Sequence, residues 1–186
     1  LYGSVAATAG FLSWPMKRYG EKGRRFSIER IDQLEPSQDV AFIPFLGILV
    51  SRSLVEKIGL PDAGFFLAAD DVDYCLRARK QGSKIVLIGD SFIEHPRAKY
   101  HALTVLGFHF YSLSMPPWKR YYDVRNRLFV ARHHYGMALY FKTIPGSFLR
   151  FFITLLREPN KAMQIKAFIA GFVDRKSTRL NSSHYS

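Results

Sequence analysis

The stretch Phe45–Gly82, FLGILVSRSLVEKIGLPDAGFFLAADDVDYCLRARKQG, decides how the chain is read. It continues an apolar run from Val40 to Val50 with the β-branched and aromatic profile of a buried strand, interrupted at Pro44 and Gly47. Ser51 is placed to N-cap a short helix, SRSLVEKIG, that ends at Gly59. Leu60-Pro61-Asp62-Ala63-Gly64 is a turn. Phe65-Phe66-Leu67 then leads to Asp70, the expected N-cap of a second helix, DDVDYCLRARKQG, which closes at Gly82. Beyond it, KIVLIG (Lys84 to Gly89) and SFIEH (Ser91 to His95) read as two short strands. Helix, strand and strand in that order predict an α/β layer and not a bundle.

On the N-terminal side, Leu1 to Val40 is glycine-rich, then charged, with weak periodicity. Its run EKGRRFSIERIDQLEPSQD reads as an exposed loop or linker. On the C-terminal side, Pro116-Pro117 marks a break. WKRYYDVRNRLFVARHHYG can then run as one helix to Gly136, with two further helices over Ala138 to Leu156 and Asn160 to Phe172. The final KSTRLNSSHYS, Lys176 to Ser186, is polar, aperiodic and unlike what precedes it, so it reads as a non-native tail. The expected division is 1–115, 116–175 and that tail, in a chain that reads as an internal or C-terminal piece of a larger protein.

Composition narrows the function classes. The 186 residues are 48% hydrophobic, enough for one domain with a real core. With 23% charged and 15% aromatic residues, wholesale disorder is excluded. The one cysteine, Cys75, excludes a disulfide scaffold and a four-cysteine zinc module and fits a reducing compartment. Its mid-helix position predicts a core residue. The net charge of +12 favours a polyanionic neighbour: nucleic acid, an anionic membrane face or a phosphorylated ligand. Much of it lies between Pro116 and Lys176, where twelve Lys or Arg face three acids. MALYFKTIPGSFLRFFITLL tempts a membrane-spanning reading, but Lys142, Pro145-Gly146 and Arg150 oppose it. A central charge costs about 2.5–3.5 kcal/mol on insertion scales. An interfacial amphipathic helix fits better.

Asp70, Asp71 and Asp73 crowd the first turn of one helix. Acids there complement the helix dipole, and Asp70 with Asp73 imitates a capping box. Three acids in four residues also repel one another unless a cation is near, and a carboxylate at such a junction is well placed as a general base. His95 ends a strand just before Pro96, where α/β sheets present their ligands. A neutral imidazole there is a competent ligand for Mn or Mg, or a structural hydrogen-bonder. Tyr122, Arg125 and Asn126 fall at i, i+3 and i+4 on one helix face. His133 and His134 are adjacent and point apart, so they make no metal pair.

Taken as an ordered set, Phe45–Gly82, the following strand and His95 resemble the second half of the GT-A domain of inverting family-2 glycosyltransferases. The likeness is to bacterial rhamnosyl- and galactofuranosyl-transferase types, and it covers roughly Val40 to Gly136. Tyr122-Asp123-Val124-Arg125-Asn126 is similar to the family's aromatic-x-x-Arg-Asn signature on a membrane-proximal helix. The resemblance implies a partial GT-A domain followed by basic amphipathic helices. It makes Asp71 the general base and His95 a metal ligand. It implies a divalent metal, Mg or Mn, with further ligands from a donor half whose Asp-x-Asp motif lies upstream and does not appear here. Asp70-Asp71-Val72-Asp73 contains an Asp-x-Asp, but its position after FFLAA matches the base motif. Asp70 would accept hydrogen bonds from the acceptor sugar, and Arg77 would pair with these carboxylates. Tyr122, Arg125 and Asn126 would stand near the diphosphate of donor or acceptor.

The implied reaction transfers a sugar, with inversion, from a UDP- or dTDP-sugar to a glycan or lipid-linked acceptor of the cell envelope. The implied location is cytoplasmic, peripheral at the inner face of the cell membrane, and this chain alone would be inactive. The alternative is a non-enzymatic protein whose basic helices bind a membrane surface or nucleic acid, although no nucleic-acid module accompanies them. Too few ligands are present for a metal-dependent hydrolase.

Overall fold

The computed structural model describes residues 1–19, 25–105 and 107–174. The tail at 176–186 and the first part of the expected linker, 21–24, lie outside the described residues. The chain folds as two compact units, and each combines strands with helices. One contains 1–61 and 71–98, the other 62–70 and the chain from 99 onward. The sequence predicts a boundary at 115/116. The contacts separate at 98/99 and assign the segment 62–70 to the second unit.

The first unit is built on a mixed sheet. Its strands are β1 (Tyr2–Thr8), β2 (Phe11–Tyr19), β3 (Arg25–Arg30), β4 (Ser37–Asp39), β5 (Ile48–Leu49) and β6 (Val86–Glu94). The order is β3-β2-β1-β6-β4, with β5 also paired to β1. β1 and β6 run parallel and the other pairs are antiparallel. Helix α1 (Arg52–Ile58) is capped as expected, the Ser51 hydroxyl accepting from the Leu54 amide at 3.3 Å. Helix α2 (Asp70–Lys80) sends fully buried Cys75 into the core with Val5, Ile43, Ile85 and Leu87. Each large aliphatic so buried contributes about 1.5–3 kcal/mol.

Three local expectations are corrected. The weakly periodic N-terminus forms β1, β2 and β3, and its linker run contains β3 and β4. β1 is made largely of small residues, and Val5, Ala6 and Ala7 are all buried, so no polar alternation advertises it. β3 is an edge strand, where charges are tolerated. The apolar run Val40 to Val50 keeps only the two-residue β5, because Pro44 lacks an amide proton and Gly47 turns at φ 61°. KIVLIG and SFIEH form one strand, β6, with a bulge: Ser4 pairs with Ile88 and Val5 with Phe92. The bulge contains Gly89, where a Cβ would collide with the Glu35 carbonyl.

The second unit contains the hairpin β7 (Tyr100–Val105) and β8 (Phe108–Leu113), then α3 (Pro117–His134), α4 (Ile144–Arg157) and α5 (Lys161–Val173). The expected helix from Ala138 is divided, a π-helical turn over Leu139–Thr143 leading into α4, with Pro145 in its first turn. Val124, Leu128, Ala131, Leu139 and Phe168 form the core. Phe151 stacks on Phe168 with centroids 4.0 Å apart. Gly171 lets α5 approach α3, since a Cβ there would strike the Tyr121 carbonyl. The hairpin joins this body through the Ser112 and Thr154 hydroxyls, 3.1 Å apart, and through Arg120, which donates to the Leu113 carbonyl at 2.8 Å.

Candidate active site

In the first unit, the start of α2 carries the acids. Asp71 is half-buried, and its Oδ1 accepts from the Val72 amide at 2.7 Å. Asp73 is buried and ion-paired to Arg77, one turn on, at 2.8 Å. The Arg77 guanidinium also donates to the carbonyls of Ile58 and Leu60 and lies 4.9 Å from the Tyr74 ring centroid. Arg77 is therefore the cation that relieves the crowding of the acids, and it ties α2 to the end of α1. Asp73 as its anchor was readable from the i, i+4 spacing. Cys75 is a core residue, its thiol pushed up to about 11 by burial.

His95 follows β6. Its backbone amide donates to the Ala7 carbonyl at 3.1 Å, and its carbonyl accepts from the Ser13 hydroxyl at 2.7 Å. The ring lies 4.6 Å from Trp14, centroid to centroid. Nδ1 is 2.8 Å from the Pro96 carbonyl, which can only accept, so Nδ1 carries the proton and Nε2 the lone pair of the neutral ring. That tautomer suits a metal ligand. Yet among the described residues no group of three or more His, Cys, Asp or Glu side chains could hold a metal ion. One imidazole is not a shell for Mg or Mn, which prefer oxygen. The residues present do not fit a complete metal site.

In the second unit, the segment 62–70 leads into α2 with an unusual backbone. Phe66, Ala68 and Ala69 all lie at positive φ, 58°, 67° and 64°. Each such non-glycine residue costs about 1–2 kcal/mol, so this conformation persists only because the surroundings hold it. The holders are Arg125 and Asn126. The fully buried Asn126 amide nitrogen stands 2.9, 2.6 and 2.8 Å from the carbonyls of Phe65, Leu67 and Ala68. Arg125 donates to the carbonyls of Gly64 and Phe65 at 2.6 and 3.1 Å, and through Nε to the Asn126 Oδ1 at 2.8 Å. Phe65 is buried edge-on against Phe129.

The family resemblance implies a place near a diphosphate for Arg125 and Asn126. The hydrogen bonds described above direct their donors to loop carbonyls. Tyr122, the third member of the signature, packs its ring 5.0 Å from Phe66 and lies under the Arg125 guanidinium at 5.0 Å. Phe66 itself is 73% exposed. Its apolar type gave no signal of exposure, which follows from the left-handed turn. Asp70 is half-buried at the end of this loop. Asp71, Arg77 and His95 thus belong to the first unit, and Asp70, Tyr122, Arg125 and Asn126 to the second.

No protein-family model matches the chain. Over 132 residues, 69% of the chain, it is 25% identical to the dTDP-rhamnosyl transferase RfbF of Shigella flexneri. The chain spans 43% of that protein's length. This distant, partial likeness supports a glycosyltransferase-like relationship.

Proposed function

We propose that this chain is the acceptor-side part of an inverting, family-2-type glycosyltransferase of GT-A fold, with Asp71 as its general base. The observation that carries the reading is the strained loop before α2, whose three left-handed residues are held by the buried Arg125–Asn126 pair. Backbone strain over-determined in this way is characteristic of sites whose geometry matters. Here it precedes the acids that the reaction needs. The likeness to a dTDP-rhamnosyl transferase supports a nucleotide-sugar donor, and a dTDP-sugar first.

An acceptor hydroxyl is a weak nucleophile until its proton is removed. The Asp71 carboxylate takes that proton as the acceptor oxygen bonds to the anomeric carbon of the donor. The bond from that carbon to the diphosphate oxygen breaks on the opposite face, which inverts the configuration. The Val72 amide orients the Asp71 carboxylate, and the positive end of the helix dipole favours negative charge there. Asp70 takes the acceptor sugar. Arg77 acts on the reaction through Asp73 and the shape of α2. With a single imidazole at His95, no step is assigned to a metal.

In this reading the second unit holds the enzyme at the cytoplasmic face of the membrane, where a lipid-linked acceptor resides. Phe141, Phe148, Phe152 and Leu156 are exposed on α4 and the turn before it, close in sequence to exposed Lys142, Arg157 and Lys161. Among the described residues no helix is long and apolar enough to cross a membrane.

The decisive experiment is Asp71→Asn in the complete enzyme. Turnover should fall by about 10²–10⁴, the usual worth of a general base, with the melting temperature and donor affinity unchanged. Turnover near the parent level would end the assignment.

A further inference from the structure

We infer that Arg120, Arg127 and Arg150 form a niche for a phosphate group, a site that stands apart from the glycosyl-transfer reading. Arg120 and Arg127 project from α3 and Arg150 from α4, around a cavity of about 10 Å³. Val124, Phe151 and Phe168 close its apolar side. A space of that size admits about one oxygen atom.

The charges around it do not balance. Arg120 is 3% exposed and is held by the Leu113 carbonyl and, at 3.5 Å, by the Gln164 Oε1. Arg127 is paired with Asp123, the one carboxylate lining the cavity. Arg150 lies over Gly146, and although its backbone carbonyl accepts from the Thr154 hydroxyl, its guanidinium has no hydrogen bond or ion pair among the described residues. Burial, followed by repulsion from Arg127, pulls its guanidinium down to about 10. The remaining nearby acid, Glu158, is committed to His101 and the Met115 amide. Three guanidinium groups therefore share one carboxylate in a partly apolar niche. A charge so placed is costly until an anion meets it.

The geometry selects the anion. A planar carboxylate is satisfied by one bidentate arginine, whereas a tetrahedral phosphate offers oxygens in several directions. One oxygen would fill the cavity, whose walls include all three guanidinium groups. The phosphate can come from a soluble phosphate ester or from a lipid headgroup, and the two are separable.

The test uses thermal melting of the full chain in inorganic phosphate against chloride at equal ionic strength. It adds sedimentation with phosphatidylcholine vesicles containing phosphatidic acid or, at matched surface charge, phosphatidylserine. Phosphate should raise the melting temperature by several degrees at about a hundredfold excess over its Kd. Arg150→Met should melt higher than the parent in chloride, because a half-buried charge without an ion-pair partner is gone, and should lose the response to phosphate. Arg132→Met, an exposed arginine of α3 outside the niche and outside the membrane-facing surface, should retain it. An Arg150-dependent preference for phosphatidic acid identifies a lipid phosphate, and a response to inorganic phosphate alone identifies a soluble one. The inference is overturned if neither probe distinguishes the parent from Arg150→Met.

Discussion

Asn126 holds Ala68 in a left-handed turn, its side-chain amide nitrogen 2.8 Å from the Ala68 carbonyl while Ala68 lies at φ 67°. The same amide reaches Phe65 and Leu67, so one side chain on α3 shapes the loop that precedes α2 in the chain.

Removing that amide should therefore cost more than an ordinary polar substitution. Asn126→Ala leaves the part-buried carbonyls of Leu67 and Ala68 short of a donor, while that of Phe65 keeps Arg125, at about 1–3 kcal/mol for each group fully orphaned. A total loss of about 2–4 kcal/mol in urea unfolding is expected. Ala68→Gly should recover part of it, since glycine adopts positive φ without strain, and a double-mutant cycle would report the coupling. A loss under about 0.5 kcal/mol, the range of surface changes, would show that the loop keeps its shape unaided.

Cys75 should be inert in the folded protein. Burial raises its thiol to about 11, so almost no thiolate exists at pH 8. A thiol reagent should label it only as fast as the first unit opens, with labelling rising steeply through the urea transition. Rapid stoichiometric labelling without denaturant would place Cys75 at the surface.

Glu158 links stability to pH. Burial pushes its carboxyl up, but hydrogen bonds from Ser114, His101 and the Met115 amide outweigh this, and it lies below its usual 4.5. A carboxyl lowered on folding contributes stability that is present above its unfolded value and lost as pH falls through its folded value. Glu158→Gln should thus be less stable than the parent at pH 7, and the gap should narrow as pH falls below about 4.5. A gap independent of pH would mean that the charge contributes nothing.

Membrane attachment through α4 should combine two forces. Each Lys or Arg near an anionic leaflet contributes about 1 kcal/mol, so sedimentation with vesicles should rise with anionic lipid and fall with salt. Phe148→Ser with Phe152→Ser should reduce binding at every salt concentration, because these side chains are exposed and supply the apolar part. Undiminished binding by that variant would assign attachment to another surface.

The helices were legible because their signals are local. Ser51 caps α1, the break at Pro116-Pro117 opens α3, and α2 covers most of the predicted segment, with Asp70 as its first helical residue and not its N-cap. The acids at the start of α2 and the i, i+4 pairing of Asp73 with Arg77 are likewise written in residue types and spacing. The sheet was not. β1 is buried without alternation, β3 is polar because it lies at an edge, and the two strand-like pieces after α2 merge only because β1 pairs along both. The sequence predicts a turn over Leu60 to Gly64 and a plain lead-in from Phe65-Phe66-Leu67 to Asp70, yet the left-handed residues of the loop 62–70 are alanines and a phenylalanine, which carry no local preference for that conformation. Only the tertiary structure could decide it. The energy that holds Phe66, Ala68 and Ala69 at positive φ comes from hydrogen bonds made by Arg125 and Asn126, some sixty residues away in sequence and invisible to any local pattern.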